Sequence, residues 1–133
     1  MNLRAKTADD AKRLLDAEGV CVIEDVLDAR GVARVKQALY DGIASDESGG
    51  VPVRGFPFDP DTKNIRLFDL IGKDPVFAEL AEQPLAVELV RHSIGAPFLL
   101  SNFSANVTAP GSELAAFGIM GRPAQGILQG GLR

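Results

Sequence analysis

Asn102, Ser104, Asn106 and Thr108 place hydrogen-bonding side chains at every second position, with Phe103, Ala105 and Val107 between them. In an extended strand successive side chains point to opposite faces. The stretch therefore predicts a strand with one apolar and one polar face. A row of amides and hydroxyls is the chemistry of a pocket wall that holds a substrate or cosubstrate by hydrogen bonds. The same alternation also describes a strand with one face in water. Asn102, Ser104, Asn106 and Thr108 are the candidate pocket residues.

The other reactive side chains have poorer contexts. His92 is the only histidine and sits between Arg91 and Ser93, one turn before the end of an expected helix. There the helix dipole favours a protonated imidazole, and no catalytic or metal partner comes from the same helix. Cys21, the single cysteine, lies in a Val-Cys-Val-Ile run that reads as a buried thiol. Ser101, Ser104 and Ser112 lack the G-x-S-x-G context of a nucleophile elbow. Gly118 to Arg122 lacks the spacing of a phosphate loop. No metal-ligand set and no catalytic residue are assigned.

Composition narrows the partners. A chain of 133 residues fits one domain, and a net charge of −4 with scattered lysines and arginines argues against nucleic acid. One cysteine excludes an internal disulfide, and the expected setting is cytoplasmic. The charged opening residues Arg4, Lys6, Asp9 and Asp10 do not resemble a signal peptide. No later run is apolar enough to span a membrane.

The elements that must position the polar strand follow from caps and spacing. Thr7 caps a helix, with Asp10 as its capping-box partner, and Gly19 ends it. Val20 to Glu24 reads as a strand. Asp28 caps a second helix whose apolar face is Val32, Val35, Leu39 and Ile43. Asp41 to Pro60 reads as a loop, with Phe56 and Phe58 as a lid over a site or a hydrophobic plug under it, the plug preferred because burial is the commoner fate of phenylalanine. Asn64 to Ile71 is apolar but ambiguous. Asp74-Pro75 and Gln83-Pro84 start two further helices, and Gly95 ends the second. From Leu114 to Arg133 there are five glycines and no acidic residue. That stretch is an irregular tail, or sequence foreign to the fold before it, so the division is 1–113 and 114–133.

Several of these segments resemble the phytanoyl-CoA dioxygenase-like family. They are DAEGVCVIEDVLDARGV from Asp16, DPVFAELA from Asp74, IGAPFLLS from Ile94, and Asn102 to Glu113 with its Pro-Gly turn. The resemblance runs over roughly residues 8 to 113 and rests on order and spacing. It implies an α+β fold: the N-terminal helices and first strands of a double-stranded β-helix, or jelly roll. It also implies a non-haem Fe(II), 2-oxoglutarate-dependent oxygenase acting on a small organic substrate. Iron in such enzymes is held by two histidines and one carboxylate.

The resemblance places a His-x-Asp pair shortly after the Pro-Gly turn, yet Leu114 to Arg122 contains neither residue. It places the second histidine and the basic residue that grips the keto acid beyond Arg133. One histidine cannot supply two, and a jelly roll needs about eight strands. The expectation is a truncated or frame-shifted dioxygenase, inactive by itself and binding neither iron nor 2-oxoglutarate alone. The alternative is a non-enzymatic α/β binding module derived from that family. An unrelated α/β domain is the third reading.

Overall fold

A computed structural model describes residues 2–112; the 114–133 tail lies outside them. In chain order the elements are β1 (Arg4–Ala5), α1 (Ala8–Glu18), β2 (Val22–Ile23), α2 (Ala29–Ser48) and β3 (Asn64–Leu67). There follow α3 (Leu70–Lys73), α4 (Pro75–Ala81), α5 (Pro84–Ile94) and β4 (Ala105–Thr108). The chain divides into two compact units. The first holds residues up to Ala38 and Leu70–Phe103; the second holds Leu39–Asp69 and the described residues from Ser104 onward.

The first unit follows its caps. Thr7 Oγ1 accepts from the Asp10 amide at 3.0 Å, and Gly19 takes the left-handed conformation (φ 73°) while its N–H bonds Leu15. Asp28 Oδ1 accepts from the Gly31 amide at 2.6 Å at the start of α2. Asp74 and Gln83 cap α4 and α5 as expected. Ala5, Ala11 and Leu89 form a buried cluster, with Leu14, Leu15, Cys21, Ile23 and Leu85 against it. Elsewhere in the unit Leu70, Val76 and Phe77 are buried, and Phe77 meets Phe103 edge-on at 6.4 Å. The expected Val20–Glu24 strand shrinks to Val22–Ile23, which pairs in parallel with β1, a partner that two residues of sequence do not announce.

The Asp10 carboxyl is held below its ordinary 3.8, first by the Thr7 side chain and then by Arg13. A carboxylate with a lowered folded pKa adds stability above its unfolded value, and that stability is lost as pH falls through the lowered one. Thr7→Ala removes this contact and the cap, and is expected to lower stability at neutral pH. It should also shrink the loss of stability on acidification below 3.8. Urea titrations of both proteins at neutral and acid pH check this.

The second unit is built on an antiparallel pair. Asn64 lies opposite Thr108, Ile65 opposite Val107, Arg66 opposite Asn106 and Leu67 opposite Ala105. The pleat puts Ile65, Leu67, Ala105 and Val107 on one face and the four polar residues on the other. Leu67, Val53 and Ile43 are buried, and the Arg66 amide bonds the Val53 carbonyl at 2.7 Å. Helix α2 continues to Ser48, through the start of the stretch expected to be loop. Ile43, expected on the apolar stripe, and Asp46 beyond it are both buried there, so packing overrides the breaking tendency of Asp41-Gly42. Asn64–Ile71 resolves into β3 and the start of α3.

Candidate ligand-binding face

Asp59 organises the polar face of the second unit. Its side chain is 3% exposed. Oδ2 accepts from Asn64 Nδ2 at 3.0 Å and from Arg66 Nε at 2.7 Å, with Arg66 Nη2 also at 2.7 Å. Thr108 Oγ1 donates to Asn64 Oδ1 at 3.2 Å. The amide of Asn64 thus links β4 to the carboxylate. Arg66 packs over the Phe58 ring, 5.6 Å from its centroid, and is 26% exposed.

The ion pair is lopsided. A guanidinium fork usually spans both carboxylate oxygens. Here Nε and Nη2 both meet Oδ2, and Oδ1 is buried without a hydrogen-bond partner. The arrangement offers a fixed, partly exposed cation beside the exposed amide of Asn106. Such an edge suits a carboxylate or a similar anion.

The four expected pocket residues are only partly brought together. Asn106 and Thr108 stand on β4 opposite Arg66 and Asn64. Ser104 precedes β4 in the same unit, whereas Asn102 belongs to the other unit. All four are exposed. The residues missed by sequence reasoning are Asp59, Asn64 and Arg66. Asn64-Ile-Arg-Leu carries the same polar–apolar alternation, which could have flagged β3. Asp59 precedes a proline and reads locally as a turn. The expected aromatic plug is half correct: Phe56 is half-buried, and Phe58 stacked on it is 51% exposed.

His92 and Cys21 stand apart from this face. His92 Nε2 lies 2.7 Å from Asp16 Oδ1, and one turn back on both helices Lys12 Nζ donates to Glu88 at 2.6 Å. The two pairs tie α1 to α5, and the Glu88 contact raises the pKa of Lys12 above its ordinary value. Cys21 is half-buried against the first unit's core. Among the described residues no three His, Cys, Asp or Glu side chains gather closely enough to hold a metal ion. Nor is any described helix long and apolar enough to cross a membrane.

The chain is 31% identical over 108 residues to "Dioxygenase af480" of Aspergillus fumigatus. This chain is related to a dioxygenase. The match covers 81% of this chain and 35% of that protein, so the chain spans little more than a third of the curated relative's length. No family model matches the chain, and no solved structure matches it.

Proposed function

We propose that this chain is a member, frame-shifted after Glu113, of a phytanoyl-CoA dioxygenase-like, Fe(II)- and 2-oxoglutarate-dependent family. On this reading the described helices and strands are the opening of a jelly-roll domain. The complete domain hydroxylates a small organic substrate. The observation that carries the reading is the 108-residue similarity to a dioxygenase. The change in composition after Glu113 supports the idea of a break there.

The residues present do not fit iron. The one histidine is committed to Asp16 on the α1–α5 face of the first unit, and no metal-ligand cluster stands among the described residues. The partly exposed edge of Arg66 suits a small carboxylate. Arg66 would hold it, with Asn106 beside it as a neutral hydrogen-bonding partner. Arg66 thus joins Ser104, Asn106 and Thr108 in the proposed wall.

A second reading, a non-enzymatic binding module, is favoured by one feature. The Thr108–Asn64–Asp59–Arg66 network closes within a single unit and needs no residue from elsewhere. Translating the coding DNA in every forward frame after the codon for Pro110 separates the two readings.

A further inference from the structure

We propose that the free edge of β4 is an interface between two copies of this chain: it pairs antiparallel, about a twofold axis, with β4 of a second copy. The proposal goes beyond the dioxygenase reading and concerns the second unit alone. The register shows which backbone groups are spare. The Ala109 amide donates to the Lys63 carbonyl at 3.3 Å, so these two residues face each other as a bonded pair. Antiparallel pairs alternate between bonded and non-bonded. Ile65–Val107 and Leu67–Ala105 are therefore bonded pairs, and the backbone groups of Asn106 and Thr108 point away from β3. On the other strand the matching outward amide, that of Arg66, donates to the Val53 carbonyl at 2.7 Å. The β3 edge is thus taken, whereas among the described residues the sheet ends at β4.

The character of this edge says what it fits. Natural edge strands are guarded by lysine, proline, a bulge or a covering segment. Ala105–Thr108 carries no lysine or proline, and its one-to-one register has no bulge. No side chain from Ser93 to Ser112 is charged, although the whole chain carries a net charge of −4. Two copies therefore repel over much of their surface and meet without opposing charges here. A partner recognised by charge finds nothing to read on β4. A second β4 offers matching donors and acceptors. With Asn106 opposite Thr108 of the second copy, the outward N–H and C=O groups of both strands are exchanged. The two Val107 side chains then meet on the apolar face, a favourable cross-strand pair. The sheet grows from two strands, marginal in isolation, to four. Because the β3 edge is taken, growth stops at a closed dimer.

The contact is small, so the dimer is weak and concentration-dependent. Sedimentation velocity on the full chain, from dilute solution to about 1 mM, should show monomer passing to dimer. Amide hydrogen exchange followed by NMR reads the edge itself. The Val107 amide, bonded within the chain, should be protected at every concentration. Those of Asn106 and Thr108 should gain protection only as the dimer forms. Asn106→Pro removes an outward N–H and is tolerated on an open edge. The dimer loses that bond twice, so its dissociation constant should rise about tenfold or more. Asn106→Asp faces Arg66 across the strand pair and puts like charges on both sides of the contact. It should also weaken the dimer, and less so at high salt.

A chain that stays monomeric over the whole range overturns the proposal. So does a dimer that both folded variants leave unchanged, or one in which the Asn106 and Thr108 amides exchange freely, because its interface lies elsewhere. Protection of these two amides in the dilute monomer overturns it as well, since the edge is then covered from within the chain. Species that grow beyond the dimer contradict the closed geometry. The exchange measurement needs the native chain only, so it decides the matter whether or not either variant folds.

Discussion

Phe77→Ala should lower the stability of the first unit by about 3–5 kcal/mol, the usual cost of emptying a buried aromatic site. Phe77 is 1% exposed and is one of the two largest fully buried side chains. Its ring meets Phe103 edge-on, which adds to the loss. Helix α4, which carries it, has seven residues, too few to hold helical structure without packing. The Asp74 cap and Pro75 start that helix, but Phe77 anchors it. Against a typical total stability of about 5–15 kcal/mol, the expected loss is a large share. Urea denaturation followed by circular dichroism should show a lower midpoint. Leu99→Ala is the control: Leu99 is 93% exposed, and its loss should stay within about 0.5 kcal/mol. A Phe77→Ala protein as stable as that control would contradict the packing described for this unit.

Arg66→Ala should weaken the binding of a small carboxylate at this face about 10- to 100-fold, as expected for one charge-assisted contact. It should also destabilise the second unit, because Asp59 would stay buried without its cation. Breaking a buried pair from one side costs about 3–5 kcal/mol, and the partial exposure of Arg66 places this case at the low end. Arg66→Lys separates the two effects. Lysine restores a charge beside Asp59, so most of the stability should return. It lacks the planar fork, so binding should not. Equal binding by the arginine and lysine proteins would show that the face reads charge alone.

The legible part of this fold was local. Thr7, Asp28 and Asp74 cap helices because a short oxygen-bearing side chain reaches a free amide two or three residues on. Gly19 and Gly95 end helices at positive φ. The alternation around Phe103 to Thr108 gave the faces of β4, though only Ala105–Thr108 is paired. What could not be read was long-range. The register of β3 against β4 joins residues 44 positions apart, as in the Thr108–Asn64 hydrogen bond. Without it Arg66 has no reason to stand beside Asn106. Asp59 looked like a turn residue because its burial is set by Asn64 and Arg66, not by its neighbours in the chain. The continuation of α2 past Ile43 to Ser48 likewise depends on what Asp46 packs against, which propensity does not encode.

The most direct test of the account is to resequence the coding DNA from the codon for Pro110 through that for Arg133 and beyond, and to translate all forward frames. The dioxygenase reading predicts a His-x-Asp shortly after the Pro-Gly turn in another frame, and a second histidine further on. A single open frame that confirms residues 114–133, with no such ligands in any frame downstream, would contradict it. The polar face around Arg66 would then be the site of a binding module, not the remnant of an oxygenase.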